Sequence, residues 1–325
     1  MDVEALIQDS KTGIVYDVSE LFTEATWETT LIEQPGKFTL NYVNDNYVEV
    51  SEGSSLSFKV NGQGVFFGYV FKRGKKYDDK VSVTAYDQMR YMKNKDTYVL
   101  SNMTASQIFE KLCGDFKLHY KVVDASSYIV LPRVNDNKTL FEINQHALDE
   151  TLINVGEWYV IRDNFGVVEF ININSLKTML VFGDYSNTTG YDYESSIDDD
   201  TYNQVKLVQE NKDTKKREVY IIKDSDTIKQ WGTLQYFEKV DEKANAAQIQ
   251  ERGDRLLKLK NRVTKTLKLP CLGDLQVFAG SGIVLGISDL QKEDIPINQY
   301  FMVTKSTHKF INDYHTMQLE VQVTV

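Results

Sequence analysis

Four histidines, two cysteines and an acidic run are the residues of this chain whose types suit metal binding or nucleophilic chemistry. The histidines are His119, His146, His308 and His315. If Asn312-Asp313 is a two-residue turn, His308 and His315 are diagonal neighbours on one sheet face, with Cα atoms roughly 7–8 Å apart. Two imidazoles could share a metal, but zinc takes three or four ligands, and the neighbours here are Phe310 and Met317; structural histidines are the expectation. Asp198-Asp199-Asp200 could hold a cation, yet it lacks the spaced oxygens and central glycine of a calcium loop and reads as a solvated turn. Glycoside hydrolysis needs two carboxylates at a fixed separation across a cleft, and 47 Asp and Glu single out no pair. A Gly-x-Ser-x-Gly elbow, a Cys–His signature and a phosphate loop are all missing. Gly62-x-Gly64 and Gly280-x-Gly282 precede strand patterns rather than a helix, so they serve turns and close backbone approach. Trp27, Trp158 and Trp231 could stack on sugars, with core packing as the default for each. Cys113 falls on the apolar side of a helical pattern and reads as a small buried hydrophobe; Cys271 is the only other cysteine, so a disulfide framework is excluded. No catalytic, cofactor-binding or metal residue is assigned, and the chain reads as a non-enzyme.

The elements around these residues are mainly β. Residues 1–92 contain Asn61-Gly62 between Leu56–Val60 and Val65–Phe67, a type I′ hairpin signal. Pro35-Gly36 precedes Lys37–Val43, where Phe38, Leu40 and Tyr42 share one face. From 93 to about 200 the types mix. Thr104-Ala105-Ser106-Gln107 predicts a capping box ahead of Ile108, Phe109, Leu112 and Cys113, with Gly114 as a left-handed cap. Thr139-Leu140-Phe141-Glu142 repeats the signal, and Gly156 ends that second helix. A third helix is expected at roughly 241–262. In the last strand Leu319, Val321, Val323 and Val325 alternate with polar residues.

The two ends of the chain echo each other. Gly53-Ser54-Ser55-Leu56-Ser57-Phe58 is followed by Phe66–Lys72 and Val81–Ala85. Gly280-Ser281-Gly282-Ile283-Val284-Leu285 is followed by Tyr300–Lys305 and Met317–Val321. One β module is therefore expected twice. The expected fold is mainly β, with two related small antiparallel β-barrels, a mixed α+β middle domain and a helical insertion. The boundaries are 1–92 for the first barrel, 93–200 for the middle domain, 201–228 with 263–325 for a discontinuous second barrel, and 229–262 for the insertion.

Length 325 allows two or three domains, and 42% hydrophobic with 26% charged residues is ordinary for a globular chain. A net charge of −10 disfavours stable nucleic-acid binding and anionic lipid. Lys72-Arg73-Gly74-Lys75-Lys76 and Lys215-Lys216-Arg217 are expected at solvated hairpin tips. Met1-Asp2-Val3-Glu4 does not begin a signal peptide, and no run approaches the ~18 apolar residues of a membrane span, so no membrane insertion is expected.

Several ordered stretches carry a family likeness: Pro35–Phe38, Glu52–Ser54, Phe66–Val70, Thr84–Gln88, Thr201–Val205, and His308–Asn312 running into His315–Met317. In order and spacing they make the chain resemble the XkdQ-like, late-control-D-like hub proteins of contractile phage tails and phage-tail-like bacteriocins. The resemblance implies a structural baseplate hub. It implies a homotrimer whose duplicated barrels form a pseudo-sixfold ring between tail tube protein and central spike protein, beside other baseplate proteins. It places the chain in a virion or bacteriocin particle assembled in the bacterial host cytoplasm, with no cofactor. The alternatives are a cell-wall (peptidoglycan) hydrolase of the tail tip and a glycan-binding surface module. A central channel, if present, should be acidic or neutral so that passing nucleic acid does not stick.

Overall fold

The computed structural model describes residues 1–44, 47–75, 80–198, 200–210, 217–240, 244–293, 295–297 and 299–323. Asp199, Lys76, Lys215, Lys216, Thr324 and Val325, all touched on above, lie outside the described residues. The fold is mainly β, with 49% strand and 21% helix. Seven strands open it: β1 (Val3–Gln8), β2 (Val15–Asp17), β3 (Phe22–Thr30), β4 (Lys37–Val43), β5 (Ser55–Val60), β6 (Gln63–Lys75) and β7 (Lys80–Tyr86). Asn61 (φ 49°) and Gly62 (φ 76°) make the expected turn between β5 and β6, where both positive angles match the strand twist. Alternation sends Phe38, Leu40 and Tyr42 of β4 inward. Phe38 packs on Phe58 and Phe66 with ring centroids 4.8 Å apart in both pairs, and Phe310 from the far end of the chain lies 5.3 Å from Phe58.

The next stretch holds β8 (Lys95–Leu100), β9 (Met103–Thr104), α1 (Ala105–Asp115), β10 (Tyr120–Val122), β11 (Ile129–Val130), β12 (Arg133–Thr139), α2 (Leu140–Val155), β13 (Tyr159–Asp163) and β14 (Val168–Asn172). The capping box at Thr104 and Gln107 forms in both directions. At the second helix Glu142 N–H donates to Thr139 Oγ1 (3.1 Å), and Thr139 N–H donates to Glu142 Oε2 (2.8 Å). Gly156 ends α2 at φ 73°, as expected. Gly114 does not cap α1: the helix runs on to Asp115, and Lys117 takes the left-handed conformation instead (φ 55°). Beyond the helix the Cys113 carbonyl accepts from Leu118 N–H (2.9 Å). Phe109, Leu112, Leu140 and Phe170 centre a core of their own.

Two compact units divide the chain: 1–152, 157–192 and 267–322 in the larger, 153–156, 193–266 and 323–325 in the smaller. After β15 (Lys177–Gly183) and β16 (Asp192–Ser196), the smaller unit is built on β17 (Gln204–Glu210), β18 (Arg217–Lys223), α3 (Ser225–Trp231), β19 (Gln235–Val240) and α4 (Ala246–Lys260). β17 lies between β18, antiparallel, and β19, parallel. A parallel pair needs a crossover, and the sequence between β18 and β19 provides it with α3. Val205 and Leu207 pack under Ile249 and Leu256 of α4. These facts correct two expectations. Residues 201–228 pair within this small sheet and not with the C-terminal strands, and the segment 229–262 contains a strand as well as helix. Strand spacing alone could not reveal which sheet β17 joins, because its alternation is the same in either.

The chain closes with β20 (Thr264–Leu272), β21 (Gly282–Gly286), β22 (Tyr300–Ile311) and β23 (Tyr314–Val323). The main ladder runs β16-β20-β23-β22-β3-β4-β7-β6-β5-β1-β2, with β21 on β22 and β15 on β21. N- and C-terminal strands thus share one sheet through β3 and β22, antiparallel from Thr30 opposite Lys305 to Glu24 opposite Ile311. Among the described residues no barrel closes.

Within this ladder the echo is literal. The order β3-β4-β7-β6-β5-β1 recurs as β16-β20-β23-β22-β21-β15. Gly53 and Gly280 are both left-handed (φ 85° and 100°). Gly53 N–H donates to Val70 O and Gly280 N–H to Val303 O, both at 2.7 Å, while the return bonds to Ser54 O and Ser281 O are 2.8 and 2.9 Å. The ladder then slips by one residue at the same place in each copy, after Val70 and after Val303. One difference remains: β1 runs antiparallel to β5, and β15 runs parallel to β21.

Candidate functional site

The structure brings two of the four histidines together, His308 buried and His315 half-buried. Ile311 pairs with Tyr314, so Asn312-Asp313 is the two-residue turn and His308 and His315 are diagonal neighbours. His308 Nε2 lies 2.8 Å from Val277 O, and His308 Nδ1 lies 3.0 Å from His315 Nε2. A carbonyl only accepts, so Nε2 of His308 carries the proton and its Nδ1 accepts from His315 Nε2–H. Trp27 of β3 packs on His308 at 5.1 Å and Phe310 on His315 at 4.3 Å. Burial, with each other's company, pushes His308 down to about 3; burial likewise takes His315 down to about 4 against the pull of Asp274. Both shifts favour the neutral imidazoles, and both nitrogens of His308 are engaged, one by His315 and one by Val277. Among the described residues no group of three or more His, Cys, Asp or Glu is placed to hold a metal.

Sequence reasoning missed a second buried cluster. Asp87 accepts from Gly36 N–H (2.7 Å) and Met89 N–H (2.9 Å), and Asp163 accepts from Gly166 N–H (2.7 Å). Between them Gln88 donates to Gly166 O and accepts from His119 N–H (3.0 Å). Asp163 Oδ2 is buried and has no partner. Desolvation, with the Asp163 charge, raises Asp87 well above the usual carboxylate range; desolvation raises Asp163 to about 6. The two carboxyls therefore resist ionising together. The signal was present as Asp87-Gln88 after β7 and Asp163 before a Gly166 turn, but a short polar pair before a turn looks the same when it faces water. Both carboxyls are held by backbone donors.

The remaining candidates find ordinary places. Asp200 receives Lys260 Nζ at 2.6 Å and Asp198 is exposed. Trp158 is half-buried against Val160, Ile171 and Leu176, and Trp231 ends α3. Cys113 and Cys271 are buried, which pushes both thiols up to about 12. A polar groove between Glu28, Pro35, Tyr86, Arg90 and Lys305 has its cations engaged: Lys37 on Glu28, Lys93 on Gln34 and Lys305 near Glu320.

Several large apolar side chains are exposed. Met179 (93%) and Tyr185 (104%) stand out from β15 and the turn after it, and Val181 is half-exposed beside them. Ile14 and Val15 are exposed at β2, one end of the main ladder. Unpaired apolar edges are otherwise an aggregation hazard.

Comparison with known proteins agrees with this picture. A family model described as YqbQ-like matches residues 25–322. The chain is 31% identical over 310 residues to the uncharacterized protein YqbQ of Bacillus subtilis, covering 93% of this chain and 92% of that one. It is 30% identical over 297 residues to the phage-like element PBSX protein XkdQ of the same organism, covering 90% and 86%. In fold it is similar to the 43 kDa tail protein of prophage MuSo2 from Shewanella oneidensis, with a TM-score of 0.70, 14% identity and 98% of each chain covered.

Proposed function

The chain belongs to the YqbQ-like family, and from that membership we propose that it is a structural, non-enzymatic hub of a contractile tail baseplate. In this reading it is a homotrimer, and each subunit contributes two barrel-like modules. Three chains then present six similar modules to a sixfold tail tube and threefold symmetry to a central spike, among other baseplate proteins. The observation that carries the reading is the duplicated ladder with its matched Gly-Ser bonds and matched slips. Two copies of one module per chain are a direct route from threefold to pseudo-sixfold symmetry. The relatives named for a phage-like element and a prophage tail support the setting, a virion or bacteriocin particle assembled in the host cytoplasm. The backbone-bonded state of the two buried carboxyls and the mutual bond of the two histidines support a scaffold over a hydrolase, and no observation favours a glycan site.

Electron microscopy of the parent particle, with this chain labelled, tests the proposal. Three copies between tube and spike are expected; a particle whose baseplate lacks the chain would overturn it. Purified chain added to peptidoglycan should leave its turbidity unchanged.

A further inference from the structure

The polar groove lies on the sheet face opposite the aromatic core, because Lys37 alternates with the inward Phe38, Leu40 and Tyr42 of β4. Tyr86 of β7, Lys37 of β4 and Glu28 of β3 are direct cross-strand neighbours, and Lys305 of β22 pairs with Thr30 two residues along β3. Gln34, from the turn before β4, and Arg90 and Lys93, from the short 3₁₀ helix Gln88–Lys93, complete the lining. Asp87 ties that turn to that helix, accepting from Gly36 N–H at 2.7 Å and from Met89 N–H at 2.9 Å. The lining is therefore fixed before any ligand arrives, which lowers the cost of binding.

Four cations and one carboxylate line the groove, Lys37, Arg90, Lys93 and Lys305 against Glu28, in a chain whose net charge is −10. These cations are engaged but not neutralised. Lys37 alone has a close carboxylate, Glu28 at 2.8 Å. Lys93 Nζ donates to the uncharged Gln34 side chain (2.9 Å), and Lys305 stands 3.7 Å from Glu320. Arg90 lies over the Phe71 ring at 5.2 Å, a contact that consumes none of its N–H donors. Tyr86 meets the same ring edge-on at 5.6 Å. Among the described residues, nothing accepts from the Arg90 guanidinium or the Tyr86 hydroxyl.

We propose that this groove binds a short acidic segment of another protein, with Arg90 taking one side-chain carboxylate through paired N–H donors and Lys93 with Lys305 holding a second. A planar guanidinium matches a carboxylate in this two-pronged way, and its stacking on a ring holds it ready. The row from β7 to β22 crosses four strands, roughly 14 Å at about 4.8 Å per step. An extended segment of about four residues spans that length. A polynucleotide is a poorer occupant, since Glu28, Glu320 and the net charge repel an unbroken line of phosphates. The site stands on the groove itself and does not depend on the hub reading.

Fluorescently labelled hexaglutamate is the probe, with hexaglutamine as its uncharged counterpart, each titrated with the full chain by anisotropy at one ionic strength. Hexaglutamate should bind and hexaglutamine should not. Arg90→Gln with Lys93→Gln should weaken binding by about tenfold or more. Lys229→Gln with Lys292→Gln makes the same charge change at two exposed lysines elsewhere and should leave binding unchanged. Glu28→Gln should tighten it, because Lys37 is released to the ligand, and a variant that merely misfolds cannot do that; circular dichroism checks each fold. Carbodiimide should couple the bound peptide to Lys93 or Lys305. The proposal is overturned by a wild type that ignores hexaglutamate, by equal losses in the two double variants, or by weaker binding in Glu28→Gln. It is overturned equally by an oligothymidylate of the same charge that binds as tightly as hexaglutamate.

Discussion

His308 and Asp163 set opposite limits on the pH at which this protein holds together. Both histidines of the dyad have folded values below their usual 6.5. The unfolded chain therefore binds more protons, and the stability the dyad contributes is present above about pH 6.5 and lost as pH falls through about 4 and 3. Denaturant midpoints should drop between pH 7 and 4.5. In His308→Leu that drop should be smaller, with a starting loss of about 1–3 kcal/mol from the Val277 carbonyl left unpaired. Asp163 runs the other way. Its folded value, raised from 3.8 to about 6, means that its contribution is full below about pH 4 and lost as pH rises through 6. Asp163→Asn keeps an acceptor for Gly166 N–H and removes the second charge beside Asp87. It should stabilise the protein above pH 7, on the order of 1 kcal/mol or more, with a flatter pH profile in the same titration; equal profiles would rule out the raised carboxyl.

The elements follow local rules wherever one residue type has a single good solution. Asn61-Gly62, both capping boxes and the Asn312-Asp313 turn formed where their residues stand, because each satisfies its own backbone within a few positions. Gly114 did not take the cap: the helix runs one residue further, and Lys117 adopts the left-handed conformation. The Gly53 and Gly280 positions allow the duplication to be tested at this scale. An alanine at either must adopt a left-handed φ of 85° or 100°, at roughly 1–3 kcal/mol. Gly53→Ala and Gly280→Ala should each lower the melting temperature, by comparable amounts in calorimetry. A neutral effect at one of them would show that the copies have diverged in how they hold the strand.

For the whole molecule the decisive contact is the one between chain ends. Phe310 is fully buried in the aromatic core of the N-terminal strands, and β3 has β22 as its outer neighbour. A fragment of residues 1–92 loses both. Its β3 edge would be open along seven residue pairs, a template for aggregation. The fragment should lack cooperative unfolding by circular dichroism, whereas co-expression with residues 263–325 should recover it. Independent folding of 1–92 would mean that the seam is incidental to the first module.

The sequence by itself determined the β-rich class, the starts of α1 and α2, the hairpin turns, the histidine neighbours and the repeated Gly-Ser module. Each of these is written in short-range alternation or backbone chemistry, and the two module copies could be laid side by side. Only the tertiary structure decided that β17 leaves the C-terminal strands for a sheet of its own, that Asp87 and Asp163 meet, and that the module copies join edge to edge at β3 and β22. Those are long-range pairings, and a strand's alternation records which face is buried but not which neighbour its backbone will choose.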